Sequence, residues 1–189
     1  MNQAAVRFTA EQIAERVAEL GRQIREDLAG ERPVLLSVIK GSVVFLADLS
    51  RAIGVDADID FLSVSEFEGG TPRTGVVRII KDLDTSIQDR HVVVVETIVD
   101  TGLTLSFLLR TLQNRSPASL KVCTLLDKPI RRIAQPRIDY VGFEIQEYVV
   151  GYGLGFKGKY RNLPYILGVR DVNALNAQPD ALQRMLGLR

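Results

Sequence analysis

The segment Val92–Leu112 reads VVVVETIVDTGLTLSFLLRTL and decides the fold. Its four consecutive valines predict a strand that is buried on both faces, as strands of parallel sheets are. After the glycine at position 102, leucines recur at the helical spacing i, i+3, i+4 and i+7, at Leu105, Leu108, Leu109 and Leu112. The segment is therefore a buried strand, a glycine turn and a helix, the unit from which parallel α/β sheets are built.

The turn between this strand and helix, Asp100–Thr104, has the features of an anion site. Gly102 permits a tight backbone, and the free N–H groups and positive dipole end of the helix face the same point. Thr101 and Thr104 add hydroxyl donors. The turn is thus predicted to bind a phosphate group. The alternative is an ordinary solvated turn, because most strand-turn-helix units bind nothing.

Length and composition exclude several functional classes. A chain of 189 residues with a net charge of +1 is typical of one domain and does not favour nucleic-acid binding. The single cysteine, Cys123, excludes a disulfide framework, and with the single histidine, His91, it argues against a zinc site. We find no signal peptide and no apolar run that could cross a bilayer, so we expect a cytoplasmic protein.

The remaining patterns predict a parallel α/β sheet. Thr9 and Gln12 have the spacing of a capping box, and an amphipathic helix follows them. Further strands are predicted at Val34–Ile39, Asp58–Ser65, Val76–Ile80, Ser119–Leu126, Ile138–Ile145 and Tyr148–Tyr152. We expect a single domain over 1–189. Its core spans about residues 30–145, its small hood combines the N-terminal helix with about residues 146–170, and a C-terminal extension covers 171–189.

The central motif resembles the phosphoribosyl-diphosphate (PRPP) binding motif of the type I phosphoribosyltransferases. There, two acidic residues follow an apolar strand and lead, two residues later, into Asp-Thr-Gly-x-Thr. The best match is the hypoxanthine-guanine branch, and the resemblance runs from about Val34 to Val169. It includes IKGS at 39–42, LLDKP at 125–129, YVGFEI at 140–145, VVGYGL at 149–154 and KYRNLPYI at 159–166. The implied fold is a parallel twisted sheet flanked by helices, with a small hood.

The resemblance also implies an activity. Such an enzyme transfers 5-phosphoribosyl from PRPP to hypoxanthine or guanine, giving IMP or GMP and diphosphate in purine salvage. Its expected cofactor is Mg²⁺, its partners are the two small-molecule substrates rather than nucleic acid or membrane, and it is generally a homodimer or homotetramer. The alternative is an inactive paralogue that senses PRPP or a purine nucleotide. A third reading is a weak enzyme that prefers xanthine or another base.

Roles for individual residues follow from the same resemblance. Asp100 matches the general base that faces purine N7, and Glu96 matches an acid near the ribose and the magnesium ion. Lys128 would donate to the 6-oxo group, Tyr148 would stack on the purine, and the backbone of Val149 would read the base edge. The residues matched to PRPP binding are Lys40, Gly41, Glu96, Thr97, Asp100, Thr101, Gly102, Leu103, Thr104 and Arg161. The Ile39–Lys40 peptide is implied to be cis, and residues 66–75 are implied to form a closing loop.

Two positions depart from the family pattern. Thr97 stands where the second acid of the motif is expected, and Gly155 stands where an aspartate usually helps to hold magnesium. We therefore expect the metal to be held by substrate oxygens, Glu96 and water. Restoring acids at positions 97 and 155 is expected to lower the Mg²⁺ requirement. The same two departures favour the sensor, so both interpretations stay open at this point.

Overall fold

The computed structural model describes residues 4–66, 77–170 and 172–173. The predicted closing loop and the C-terminal extension therefore lie outside the described residues, apart from residues 66 and 172–173. In chain order, the elements are β1 (Ala4–Phe8), α1 (Ala10–Asp27), β2 (Val34–Ile39), α2 (Val43–Ala52), β3 (Asp58–Glu66), β4 (Val77–Lys81), β5 (His91–Val99), α3 (Leu103–Gln113), β6 (Ser119–Asp127), a 3₁₀ turn (Pro129–Arg131), β7 (Tyr140–Glu144), β8 (Tyr148–Val150) and β9 (Ile166–Val169).

The main sheet has the strand order β4-β3-β2-β5-β6-β7. Strands β3, β2, β5, β6 and β7 are parallel, as the apolar runs predict. Strand β4 departs from that prediction because it follows β3 through a short connection and pairs with it antiparallel at the sheet edge. β5 lies inside the sheet, so its carboxyl end opens between the ends of β2 and β6.

Helices cover both faces of the main sheet. The side chains of Val93 and Val95 join the apolar cluster under α1 and α2, whereas Val92 and Val94 join the cluster under α3. This alternation is the period of two that a strand imposes. All four valines are fully buried, which explains why the strand is apolar on both faces.

Helix α1 begins at the predicted capping box, in which Thr9 and Gln12 exchange hydrogen bonds. Its apolar face packs on the main sheet beside α2 and contributes Ile13, Val17, Leu20 and Ile24 to the core. The expectation that this helix belongs to the hood is therefore corrected. An amphipathic stripe shows that a helix covers an apolar surface, but it does not identify that surface.

The hood is a separate three-stranded antiparallel sheet with the order β1-β9-β8. The N-terminal element that joins it is thus a strand. The hood has its own apolar cluster, which includes Val150, Phe156 and Leu167. Phe8 of β1 stacks on Phe143 of β7 at 4.1 Å between ring centroids and so links hood and main sheet. Within the described ranges, no helix is long and apolar enough to span a membrane.

Candidate active site

Three adjacent strand ends carry most of the predicted site residues. Lys40 follows β2, Asp100 follows β5 and Lys128 follows β6, and these strands are neighbours in the sheet. The carboxyl edge of a parallel sheet is where α/β proteins bind ligands. The fold therefore brings together residues that are far apart in the sequence.

A cavity of about 220 Å³ opens at the β5–α3 turn. Gly102 forms the N-cap of α3 with φ of 78°, a left-handed backbone that glycine adopts without strain. Gly102 has no side chain to cap this helix end, and the Leu103 N–H donates to the Thr101 hydroxyl at 3.5 Å. The N–H groups that follow in the first turn have no partner within the helix and can meet an anion. The cavity is lined by Glu96, Ile98, Val99, Asp100, Thr101, Gly102, Thr104 and Leu105. Leu103 is half-exposed at the mouth of the turn.

The segment at 129–136 packs against the back of this turn, which the sequence did not predict. The N–H groups of Ile133 and Ala134 donate to the Thr101 carbonyl oxygen at 2.8 Å and 3.0 Å. A β-carbon on Gly102 would collide with the Ala134 carbonyl oxygen. Gly102 is therefore required both by its backbone conformation and by the close approach of this segment.

Asp100 lies at the edge of the cavity in an ion pair that was also missed. Its Oδ2 atom is 3.2 Å from Nη1 of Arg131, in a partly exposed pair. Its Oδ1 atom is buried and has no hydrogen-bond partner among the described residues. An unpartnered buried oxygen is the arrangement expected of a group that acts on a ligand. The pair of basic residues after Pro129 was the only sequence signal for Arg131.

Lys128 is buried, with 3% of its surface exposed, and its backbone N–H donates to the Val99 carbonyl oxygen. Burial lowers the pKa of Lys128; the charge of Asp100 opposes this, Arg131 adds to it, and Glu147 also opposes it. The lysine and the aspartate therefore interact across the ends of β5 and β6. A buried ammonium is costly unless it has a partner of opposite charge or a hydrogen-bond acceptor, and Asp100 supplies the first of these.

A buried ion pair connects the end of β6 to the 129–136 segment. Arg132 and Asp127 form a salt bridge in which only 4% and 13% of the two side chains are exposed. Nη1 of Arg132 is buried and has no partner within the part of the chain that the structure describes. The pair fixes the start of the segment that packs on the β5–α3 turn.

Glu96 faces the cavity from within β5. Burial raises the pKa of Glu96 to about 8. The carboxyl is therefore largely neutral near pH 7 in the ligand-free protein. A cation or a hydrogen-bond donor that enters the cavity would favour its ionised form.

Thr97 faces away from that cavity. Its side chain is buried, and its hydroxyl donates to the Gly41 carbonyl oxygen at 3.0 Å. This hydrogen bond ties β5 to the loop after β2, and the contact of Thr97 with PRPP stays a prediction. Lys40 in that loop is exposed, and the Ile39–Lys40 peptide is cis, as the resemblance implies.

Two of the three predicted purine residues, Tyr148 and Val149, lie in the hood. Tyr148 begins β8, contacts Phe156 edge-on at 6.3 Å, and its hydroxyl donates to the Gly155 carbonyl oxygen at 3.5 Å. Burial raises the pKa of Tyr148, and the charge of Arg161 opposes that effect. The side chain of Val149 packs in the main core, so only its backbone is left to contact a ligand.

The described residues offer little to a metal ion. They contain no group of three or more His, Cys, Asp and Glu side chains that could hold one. Glu96 and Asp100 are the carboxyl groups that line the cavity. This set fits Mg²⁺ only in its usual minimal mode, with one or two carboxylates, several waters and substrate phosphates.

Comparison with known proteins agrees with this geometry. The family model described as the phosphoribosyl transferase domain matches residues 8–157. The chain belongs to the phosphoribosyltransferase family. A family member from Mycobacterium avium named hypoxanthine-guanine phosphoribosyltransferase is 50% identical over 169 residues, which cover 86% of this chain and 83% of that protein.

Solved structures of the family show the same fold. A hypoxanthine-guanine phosphoribosyltransferase from Bacillus anthracis is 47% identical with a TM-score of 0.81, covering 87% of this chain and 96% of that one. A hypoxanthine phosphoribosyltransferase from Trypanosoma cruzi is 39% identical with a TM-score of 0.87, covering 96% of this chain and 98% of that one. The prediction of a type I phosphoribosyltransferase fold is confirmed.

Proposed function

We propose that this chain is a hypoxanthine-guanine phosphoribosyltransferase of purine salvage. It transfers the 5-phosphoribosyl group of PRPP to N9 of hypoxanthine or guanine and releases diphosphate, giving IMP or GMP. The observation that carries the proposal is the meeting of Asp100, buried Lys128 and the cavity of the β5–α3 turn at one edge of the sheet. The groups proposed to bind the phosphate, to bind the base and to accept the proton then lie at the same edge of the sheet.

The 5′-phosphate belongs in the cavity of the β5–α3 turn. The free N–H groups of the first turn of α3 and the hydroxyls of Thr101 and Thr104 supply donors, and the helix dipole favours the negative charge. Gly102 keeps the shape of this cavity, because a side chain there would collide with the 129–136 segment behind the turn.

The purine belongs between the ends of β5 and β6 and the hood. The ammonium of Lys128 donates to the 6-oxo group, and Tyr148 covers one face of the ring. Since Lys128 suits any 6-oxopurine, the contact selects hypoxanthine, guanine or xanthine over adenine. The backbone of Val149 forms hydrogen bonds with the edge of the base.

The chemical step breaks the bond between C1′ and the diphosphate oxygen and forms the C1′–N9 bond. The ribose becomes oxocarbenium-like, the N7 proton of the purine passes to the Asp100 carboxylate, and the electron pair of the broken bond leaves with diphosphate. Nη1 of Arg131 lies 3.2 Å from Oδ2 of Asp100, which leaves the buried Oδ1 without a protein partner among the described residues. General-base assistance of this kind contributes roughly 10²–10⁴ in rate.

We propose Mg²⁺ as the metal. When bound, it supplies positive charge to the leaving diphosphate. Glu96 would hold it from the protein side, through its ionised carboxylate, with waters and substrate oxygens completing the shell. Lys40 and Arg161 add fixed positive charge on the diphosphate side. We also expect a homodimer or homotetramer in the cytoplasm, and light scattering after gel filtration measures the assembly.

A spectrophotometric assay with PRPP, Mg²⁺ and each of hypoxanthine, guanine and xanthine tests the proposal. Turnover with hypoxanthine or guanine supports it. Turnover with xanthine alone would show that the chain is a phosphoribosyltransferase with a different purine substrate. No turnover with any base, together with nucleotide binding, would favour the sensor. The enzyme names of the relatives described above favour catalysis.

A further inference from the structure

The side chain of Arg161 lies flat against Gly155. A β-carbon placed on Gly155 would be 2.9 Å from Cζ and 3.0 Å from Cγ and Nε of Arg161. Both the aliphatic stem and the guanidinium therefore occupy the space that a side chain at position 155 would fill. Gly155 is not among the residues with positive φ, so its backbone does not require glycine. The glycine is explained by the space that it leaves for Arg161.

Gly153 holds the guanidinium against the loop after β2. Nη1 of Arg161 donates to the Gly153 carbonyl oxygen at 2.7 Å. Gly153 itself packs so closely on the Gly41 carbonyl that a β-carbon there would collide with it. The same carbonyl accepts the hydroxyl of Thr97. Arg161 is thereby fixed beside the loop that carries Lys40.

This group of residues, which we name the cation cluster, consists of Lys40, Gly41, Thr97, Gly153, Gly155 and Arg161. Its charged members are two cations, and none of its members is a carboxylate. Asp48 is the carboxylate among the described residues that line the same groove as Arg161. That carboxylate already accepts the Tyr152 hydroxyl and pairs with Arg51. The cluster therefore presents uncompensated positive charge.

We propose that the cation cluster binds the diphosphate group of PRPP directly, without a divalent cation, and that Gly155 makes room for the guanidinium that does so. This inference rests on the proposed function and deepens it. A guanidinium offers a planar fork of donors that matches phosphate oxygens, and its charge does not depend on pH. Binding of the diphosphate then depends on protein charge, and Mg²⁺ held near Glu96 would add positive charge only as the diphosphate leaves.

The test is calorimetric titration of the full chain with inorganic diphosphate, in excess EDTA and again in excess Mg²⁺. We expect the two Kd values to agree within about threefold, well under the factor of ten that corresponds to 1.4 kcal/mol. A Kd that is tenfold or more tighter with Mg²⁺ would overturn the inference.

Variants of Arg161 identify the binding group. Arg161→Gln is expected to weaken diphosphate binding in EDTA about tenfold or more. Arg161→Lys keeps the charge but loses the planar fork of donors, so its Kd should lie between those of the wild type and Arg161→Gln. Arg51→Gln is the matched control, because Arg51 is an exposed cation in the same groove. Equal binding by the wild type and the Arg161→Gln variant would contradict the proposal.

Variants of Gly155 distinguish the effect of filling the space next to Arg161 from the effect of adding a carboxylate. Gly155→Ala and Gly155→Asp should both displace the guanidinium and weaken binding in EDTA. Only Gly155→Asp should recover diphosphate affinity when Mg²⁺ is added, because it supplies a carboxylate ligand. Unchanged binding by both variants in EDTA would remove Gly155 from the proposal. Melting curves with GMP show whether each variant is folded.

The proposed function is tested separately. Metal-independent diphosphate binding without turnover of any purine would leave this inference standing and refute the enzyme. Turnover combined with strictly metal-dependent diphosphate binding would refute this inference alone.

Discussion

The hydroxyl of Thr97 donates a hydrogen bond to the carbonyl oxygen of Gly41, across 3.0 Å and 56 positions of sequence. The threonine is 1% exposed, so the bond is shielded from water. It ties the end of β5, where Asp100 and the phosphate cavity begin, to the loop of Lys40. Position 97 therefore needs a donor, whereas an acid offers only acceptors when ionised.

Thr97→Asp is accordingly expected to destabilise the protein rather than to restore a metal site cleanly. A buried carboxylate would face a carbonyl oxygen and cost about 3 kcal/mol, as unpaired buried charges do. For a chain of this size we expect the melting temperature to fall by about 6–12 °C. Thr97→Ser keeps the donor and is the control. A melting temperature for Thr97→Asp that equals that of the wild type would contradict this account.

Asp100→Asn tests the proton acceptor. The amide keeps the shape of the side chain but cannot accept the N7 proton, so kcat is expected to fall about 10²-fold or more. Stabilisation by GMP should change little, because Asp100 does not hold the phosphate. Arg131→Gln leaves the carboxylate in place and should lower kcat much less. An undiminished kcat in the Asp100→Asn enzyme would exclude Asp100 as the base.

The phosphate cavity can be tested without turnover. At about 100 times its Kd, GMP or IMP stabilises the native state by about 2.7 kcal/mol, which raises the melting temperature of a chain of this size by about 5–10 °C. Thr104→Ala removes one donor and should shrink that shift. Thr111→Ala is the matched control, because the Thr111 hydroxyl bonds to the Phe107 carbonyl oxygen further along the same helix. Equal stabilisation by guanosine and GMP would argue against a phosphate site.

The pKa of Glu96 makes stability depend on pH. The folded protein raises this pKa to about 8, whereas an unfolded chain has about 4.3. Between these values the folded state holds a proton that the unfolded state has lost, so stability falls as pH rises. Glu96→Gln should flatten the decline in melting temperature between about pH 5 and about pH 9.

Metal binding should show the opposite dependence on pH. Only the ionised Glu96 can serve as a ligand, so PRPP with Mg²⁺ should stabilise the wild type more at about pH 9 than at about pH 6. The Glu96→Gln variant should lose that difference. If the rise in melting temperature caused by PRPP with Mg²⁺ depends on pH in the same way in the wild type and in Glu96→Gln, Glu96 does not face the metal.

The parts of the site that the sequence predicted share a local cause. A run of valines, a glycine and a leucine stripe predict the β5–α3 unit. Each of these patterns determines the conformation of the residues next to it in the chain. The position of Lys128 near the end of a buried strand is also a local signal, but its role with the purine came only from the family resemblance. Such signals depend on chain geometry within one element and its turn. They can therefore be recognised without knowing how that element packs against the rest of the molecule.

The parts that it did not predict depend on contacts between distant segments. The Arg131–Asp100 pair exists because the segment after β6 folds back on the β5–α3 turn without any periodic pattern. The partner of Thr97 is in another loop, and the reason for glycine at position 155 is a side chain six residues further on. Neither composition nor spacing encodes which surfaces meet, so these contacts required coordinates.

The pairing of β1 with β9 has a consequence for how the protein is made. A ribosome releases the chain from its N-terminus, and units fold as they emerge. All strands of the main sheet have been synthesised by Glu144, so the phosphate cavity can form early. β1 must wait for Ile166–Val169, and Tyr148 takes its place only when that hood sheet closes. The nascent chain therefore acquires its proposed base-binding side last.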